Sequence, residues 1–345
     1  MSAVLLTGGA GFFGEILKTR LLAEGLTVVS VDLVPENSEH KNLTTVRGDI
    51  RDRTLMTSLF EKHRFETVYH CAAILAHAVK DRDFLWTSNV EGTRVIADCA
   101  KTFGCRSVIF ISSNCLWGKG FNRPIEEEDV PAPVEIYGQS KWEGEKVLSG
   151  YKGAFNAVII RCPTILDEGR LGLLTILFDF IREGRKVWVV GDGSNRYQFI
   201  YAKDLADACV RGARLEGFRT FHIGSDDVRS FRETYEYVIK KAGSKSTVAS
   251  LPRALTLAAM KAAYALGLSP LGPYQYKMIA ENFIFDTRKI KKELGWHPSL
   301  KNEEMLWLAY RYYESHYDEI NRRVGVSAHR QAAKMGIIRL LKGLS

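Results

Sequence analysis

The sequence predicts a doubly wound α/β fold, a parallel sheet with helices on both faces, followed by a smaller C-terminal α/β region. Three observations lead there. Short β-rich apolar runs alternate with amphipathic helical patterns through the first 165 or so residues. A glycine-rich turn closes the first of those runs, and an aspartate ends the second.

In chain order, the runs Ala3–Thr7, Thr27–Asp32, Thr67–Cys71, Ser107–Ser112 and Ala157–Arg161 read as strands. Between them Glu15–Glu24, Asp83–Phe103 and Tyr137–Tyr151 are long enough to be the crossover helices that parallel strands require. After Pro163 the alternation lapses, and a sheet strand is expected to return at Phe221–Gly224. Leu255–Leu266 is apolar and helical in pattern, and Gly267–Pro273, which also contains Pro270, reads as a turn. The implied organisation is a first domain over residues 1–165 with a returning segment near 200–225, a second over 166–199 and 226–325, and a basic amphipathic tail over 326–345.

At 345 residues and 46% hydrophobic, the chain can bury a sizeable core. The opening residues lack the basic stretch and cleavage site of a secretory leader, and no run of eighteen apolar residues is free of charge. Six cysteines, Cys71, Cys99, Cys105, Cys115, Cys162 and Cys209, are scattered without CxxC pairing, which fits reduced thiols in a cytoplasm. The net charge of +8 is concentrated toward the C-terminus rather than along a stripe. An anionic substrate, a dinucleotide or a membrane surface accounts for it, and a nucleic-acid partner is not expected. His70 and His222 fall on strands, and no metal-ligand cluster is visible.

The glycine turn is Thr7-Gly8-Gly9-Ala10-Gly11-Phe12-Phe13-Gly14. Gly8, Gly11 and Gly14 suit a tight turn, a close backbone approach to a pyrophosphate and close helix–strand packing, while the helix N-terminus attracts phosphate. Asp32 follows at the strand end, where a carboxylate can accept hydrogen bonds from ribose hydroxyls and would repel a 2′-phosphate. This is the arrangement of a Rossmann-type dinucleotide site, with NAD favoured over NADP.

A second constellation is Tyr137-Gly138-Gln139-Ser140-Lys141, which puts a tyrosine and a lysine one turn apart on one helix face. A free phenol titrates near ~10, so Tyr137 can act as a base near neutrality only if positive charge stabilises its anion. Lys141 and an oxidised cofactor can supply that charge. The pair follows the strand ending at Ser112-Ser113, whose carboxyl end should open on the crevice where such folds bind ligands.

These motifs, together with Asp49-Ile50, His70-Cys71-Ala72-Ala73, Asn89, Arg161-Cys162-Pro163, Asp204-Leu205-Ala206-Asp207-Ala208 and Glu293-Leu294-Gly295-Trp296, resemble the extended short-chain dehydrogenase/reductases over nearly the whole chain. That group includes sugar-nucleotide epimerases and dehydratases and 3β-hydroxysteroid-type dehydrogenases. The resemblance implies that Asp49 and Ile50 flank the adenine and that Ala72 and Ala73 line the path of the pyrophosphate and ribose. Phe12, Phe13, Cys71 and Pro163 would complete the cofactor's lining, and Asn89 would support the active-site helix. It further implies Ser113 as the catalytic serine, Tyr137 as the acid/base, and Lys141 as the residue that holds the nicotinamide ribose and lowers the tyrosine pKa. A homodimer through a four-helix interface of Asp83–Phe103 and Tyr137–Tyr151 is also implied.

Departures from that pattern narrow the reaction. Dehydratases and decarboxylases of this kind carry acidic residues just after the catalytic serine or threonine; here Asn114 and Cys115 stand there. Cys115 resembles the cysteine of enzymes that epimerise beside a ketone, although it lacks a matching lysine or histidine, and packing at a strand end is the other reading. Seven residues before Asp204, where sugar-nucleotide enzymes carry an arginine, the chain has Tyr197 with Arg196 beside it, and a second expected arginine has no counterpart near Ala280–Ile284. The apolar Leu255–Leu266 segment and the tail Lys334–Lys342 point to a greasy component of the substrate, or to an anionic membrane surface under the tail. Docking of the tail on the protein body fits equally.

The expectation is therefore a cytoplasmic enzyme of sugar metabolism, such as polysaccharide biosynthesis, that epimerises a nucleotide-activated sugar by transient oxidation of a ring hydroxyl with bound NAD. The alternatives are a dehydrogenase or epimerase of a lipid-linked sugar or sterol-like alcohol, at the inner membrane surface, and a protein that binds NAD without catalysis.

Overall fold

The computed structural model describes residues 3–75, 81–268 and 272–322. The proposed tail and the centre of the Gly267–Pro273 turn lie outside the described residues. Strands β1 (Ala3–Thr7) and β2 (Thr27–Asp32) flank α1 (Phe12–Ala23), and β3 (Leu43–Arg47) precedes α2 (Arg53–His63). Next come β4 (Thr67–His70), α3 (Arg82–Trp86), a π-helical turn (Thr87–Glu91), α4 (Gly92–Thr102), β5 (Ser107–Ser113), α5 (Ile136–Ser149) and β6 (Asn156–Cys162). The second half contributes β7 (Thr164–Leu166), α6 (Leu174–Arg182), β8 (Val187–Val190), β9 (Phe199–Tyr201), α7 (Ala202–Gly212), β10 (Phe218–His222), α8 (Phe231–Ala242) and β11 (Val248–Leu251). It ends with α9 (Arg253–Ala265), α10 (Pro273–Met278), α11 (Arg288–Leu294), α12 (Asn302–Ser315) and α13 (Tyr317–Arg322).

Seven strands form one parallel sheet in the order β10-β6-β5-β4-β1-β2-β3. The order reverses between β1 and β4, so a crevice opens at their carboxyl ends, where the glycine turn and β5 both finish. The predicted first two strands coincide with β1 and β2. The returning strand lies three residues earlier than predicted at its start and ends at His222. The single helix expected over Asp83–Phe103 is split by the π turn.

One buried cluster fills each face of the sheet, including Leu6, Leu17 and Ile160 on one side and Leu5, Phe60 and Val108 on the other. A third cluster, with Phe178, Val238, Phe283 and Tyr313, lies among α6, α8, α12 and the paired β8 and β11. The Asp-Leu-Ala-Asp and Glu-Leu-Gly-Trp motifs meet on the sheet face that holds Leu6, Leu17 and Ile160. Trp296 Nε1 donates to the Asp204 carbonyl at 2.9 Å, and Ser299 donates to the Asp204 carboxylate from both its backbone and its hydroxyl. Ile290 and Trp296 thereby join the core of the sheet.

Helix α5 is held on the sheet by polar contacts. Glu145, one turn beyond Lys141, is buried and accepts two-pronged hydrogen bonds from Arg161 of β6 and one at 2.5 Å from the Ser112 hydroxyl of β5. Arg161 also donates to the Glu127 carbonyl, and its guanidinium lies over the Trp117 ring. Removing one member of a buried pair leaves the other charged and unpaired, at a cost of about 3–5 kcal/mol, whereas replacing both with apolar groups is often neutral. Arg161→Met should accordingly lose stability on that scale in urea denaturation, and Arg161→Met/Glu145→Leu should regain most of it. Equal losses in both proteins would show that the pairing is not what holds α5.

Candidate active site

Gly8 adopts φ +78°, and a Cβ there would lie 2.8 Å from the Ala72 backbone. At Gly14 a Cβ would lie 2.0 Å from the Gly8 carbonyl oxygen, so α1 packs against the turn only because no side chain intervenes. Gly11 begins α1 with no side chain capping the first turn, which leaves the N–H groups that start the helix, from Phe12 onward, facing the crevice. Phe12 and Phe13 are themselves buried beneath the turn.

The Asp32 carboxylate accepts from Ala10 N and Val34 N, both at 3.0 Å, and burial raises its pKa against those hydrogen bonds. Beside it, Glu36 accepts from the Ser30 hydroxyl at 2.6 Å and pairs with Lys18, with both side chains buried. The Lys18 cation is thus already matched by a carboxylate and is not free for a phosphate. Glu36 and Lys18 were not singled out by sequence reasoning, since their spacing marks no motif. Asp49 is drawn into a pair with Arg51, which holds its carboxyl below the usual range, while Ile50 is buried close to Gly92.

A directed hydrogen-bond chain joins the strand ends to the π turn. Thr93 donates its hydroxyl proton to the Asn89 carbonyl at 2.7 Å, so His70 Nε2–H must donate to Thr93 Oγ1 at 2.9 Å. His70 Nδ1 then accepts from Thr7 Oγ1 at 2.7 Å, and Thr7 Oγ1 accepts from Ala72 N. Burial pushes the His70 pKa down to about 3, consistent with this neutral tautomer. Asn89 itself clasps both backbone groups of Ile74 and donates to Ser140 Oγ at 3.0 Å, and Ser140 donates to the Tyr137 carbonyl. The π turn therefore secures both the segment Cys71–Ile74 and the first turn of α5; π turns interrupt helices most often at functional sites.

Lys141 is buried and donates to the Ile111 carbonyl at 2.7 Å, with its ammonium 4.6 Å from the Phe110 ring centroid. Burial pulls its pKa down to about 8, with buried cysteines and Glu145 acting in the opposite direction. Burial raises the pKa of the Tyr137 phenol far above that of a free phenol, with the neighbouring Ser113 side chain acting in the opposite direction. Ser113 Oγ accepts from Cys115 N at 3.1 Å. Ser113, Tyr137 and Lys141 are thus brought together at the carboxyl end of β5.

Beyond them Asn114 donates to the Tyr197 hydroxyl at 2.8 Å, and Tyr197 also meets Thr164 at 3.0 Å and Tyr274 at 3.5 Å. Cys115 is hydrogen-bonded with Ser113 and Tyr274, and burial pushes its thiol up to about 12. Arg196 does not join this group. Successive residues of an extended segment face opposite ways, so Tyr197 points inward while Arg196 is exposed near Ser230 and Glu233. Cys71 and Pro163 flank the same crevice at the ends of β4 and β6.

Sequence reasoning missed Thr164, Tyr274 and Arg170. Thr164 directly follows the Arg161-Cys162-Pro163 motif and could have been found from it. The other two reach the crevice only through tertiary packing.

The profile of the NAD dependent epimerase/dehydratase family matches residues 4–224. A protein of Sinorhizobium fredii named y4nG, described as uncharacterized, is 35% identical over 343 residues, spanning 99% of this chain and 86% of its own. The UDP-glucose 4-epimerase of Mycolicibacterium smegmatis is 30% identical over 261 residues, covering 70% of this chain and 82% of that protein. The solved UDP-glucose 4-epimerase of Thermotoga maritima with UDP-glucose shares the fold, with a TM-score of 0.75 at 23% identity over 91% of this chain and 99% of that one. With its glycine turn, strand-end aspartate and Ser/Tyr/Lys constellation, the chain belongs to the NAD dependent epimerase/dehydratase family, within the extended short-chain dehydrogenase/reductases.

Proposed function

We propose that the protein is an NAD-dependent epimerase of a nucleotide-activated sugar, of the UDP-sugar type. The observation that carries this reading is the placement of Ser113, Tyr137 and Lys141 at the same carboxyl edge of the sheet as the glycine turn. Relatives named UDP-glucose 4-epimerase support the UDP-sugar class.

The residues present fit NAD. The glycines leave the space that a Cβ would fill, the start of α1 offers uncapped N–H groups, and Asp32 retains lone pairs for ribose hydroxyls. Asp49, Ile50, Cys71, Ala72, Ala73, Asn89 and Pro163 would line the rest of its path. When bound, NAD supplies the hydride acceptor for oxidation of a ring carbon and the donor for its return.

Tyr137 removes the proton of the reacting hydroxyl and later returns it, while Ser113 holds that oxygen by hydrogen bonding. Lys141, one turn along the same helix and fixed by the Ile111 carbonyl, supplies positive charge that lowers the cost of the phenolate. Asn114, Tyr197, Thr164 and Tyr274 form the polar wall on the sugar side. Cys115, held neutral by burial, supports a lining role rather than one of proton exchange.

A second reading keeps the chemistry and changes the carrier to a lipid-linked sugar. Helix α9 favours it: Leu255 is 70% exposed, and Leu266 just beyond the helix is 72% exposed, an apolar surface without a partner among the described residues. Tyr264 of the same helix approaches Gly272, as does Glu135, which accepts from Tyr274 N. Both readings include a cytoplasmic homodimer through the helical stretches Asp83–Phe103 and Tyr137–Tyr151, which light scattering would check.

The deciding experiment is incubation with UDP-sugars and polyprenyl-diphosphate sugars, following products by mass spectrometry and NADH by absorbance. An isomer of equal mass without net NADH is expected, whereas stoichiometric NADH would make the protein a dehydrogenase. Tyr137→Phe should lower kcat by roughly 10²–10⁴-fold while NAD stays bound. Asp32→Asn should weaken NAD binding by about 1.5–3 kcal/mol, roughly ten- to a hundredfold in titration calorimetry.

The pH profile follows from Lys141. Burial disfavours its charged form, so the free enzyme loses that proton as pH climbs through about 8, and kcat/KM should then fall about tenfold per unit. The unfolded chain keeps the proton to the ordinary value of 10.5, so the contribution of this group to stability should rise, not fall, between those two values. A kcat/KM that stays flat to pH 10 would remove Lys141 from its role.

A further inference from the structure

Arg170 lies in the loop between β7 and α6, with its backbone N–H turned onto the Asp167 carbonyl at 3.1 Å. Its Nε and Nη1 are sealed from solvent and have no hydrogen-bond partner among the described residues. Its guanidinium carbon is 5.8 Å from the centre of the Phe12 ring, at the glycine turn. Among the described residues the ionisable groups that act on it are Tyr197 and Tyr137, with no carboxylate. Burial lowers its pKa only to about 10, so it is a cation at neutral pH.

A buried guanidinium is ordinarily matched by an acid, as Arg161 is matched by Glu145 and Lys18 by Glu36 in this protein. Arg170 has two planar nitrogen donors with no acceptor among the described residues, beside Tyr137 and the wall residue Tyr197. Its fork suits the paired oxygens of a phosphate or carboxylate. Tyr197 stands where an arginine was expected, and Arg170 brings a positive charge to that same side chain from another loop.

We propose that Arg170 is the anion-binding residue of the substrate site, holding an oxyanion of the substrate, either a diphosphate oxygen or a carboxylate on the sugar. This deepens the nucleotide-sugar reading and rests on it for the identity of the ligand. The cost of leaving the cation unmatched falls on the free protein and is relieved when the substrate's anion enters.

The test compares the wild type with Arg170→Gln in the NAD-loaded protein. Titration calorimetry with UDP, UDP-glucose and UDP-glucuronate separates the two sources of the anion. A loss of tenfold or more for all three assigns the diphosphate, and a loss confined to UDP-glucuronate assigns the sugar carboxylate; both support the proposal. Changes below twofold for all three, or a loss of NAD affinity in their place, overturn it.

Thermal unfolding without substrate gives a readout independent of ligand identity. Removing an unmatched buried cation should raise the melting temperature, by about 2 °C or more, whereas a purely structural arginine would lower it and overturn the proposal. If the wild type binds no UDP compound, the nucleotide-sugar reading fails. The Arg170 inference is then decided by inorganic pyrophosphate, which should raise the wild-type melting temperature and leave that of Arg170→Gln unchanged; equal shifts in both would overturn it.

Discussion

The position of α5 on the sheet is the constraint from which the rest of the site follows. Tyr137 and Lys141 can work together only if their helix face looks into the crevice, and hydrophobic burial alone does not fix a helix's rotation to that precision. Here three polar contacts on one face do so: Ser140 to Asn89, Lys141 to the Ile111 carbonyl, and Glu145 to Arg161 and Ser112. Buried ionic contacts add little net stability, because desolvation offsets the attraction. Their consequence here is orientation, since rotating α5 would part Glu145 from Arg161 and Ser112.

The same logic extends outward through the π turn. The extra residue in that turn presents Asn89 to Ile74 on one side and Ser140 on the other, so the loop after β4 and the start of α5 are tied to one side chain. His70, neutral and enclosed, completes the link to β1 and hence to the glycine turn. The glycine turn and the start of the helix that carries Tyr137 are coupled through hydrogen bonds whose directions are all determined.

What could be read from the sequence follows the range of the forces involved. Strands β1 and β2 were legible because a central parallel strand is apolar on both faces, and the glycine turn because only glycine satisfies its backbone. Strand β3, Leu-Thr-Thr-Val-Arg at the sheet's edge, is half exposed and carries no such pattern, and it was missed. The π turn leaves no periodic trace across a single helical turn. Arg196 was raised as a candidate through its neighbour's position in a motif, yet the alternation of an extended segment sends it to solvent. Arg170 shows nothing locally at all; its significance arises only when the loop after β7 folds against Phe12 and Tyr197.

The electrostatics of the crevice form a consistent whole. His70, Cys115 and Tyr137 are each held in their neutral forms by burial, which leaves Lys141 and Arg170 as cations there. A phenol in such surroundings is a poor base until charge gathers beneath it, so oxidised cofactor and an anionic substrate have opposite effects. The first favours the phenolate, and the second opposes it unless a separate cation takes up the anion. Arg170 acts on both Tyr137 and Tyr197, so in its proposed role it would take up that anion beside the phenol, and an anionic substrate would bind without suppressing ionisation of Tyr137.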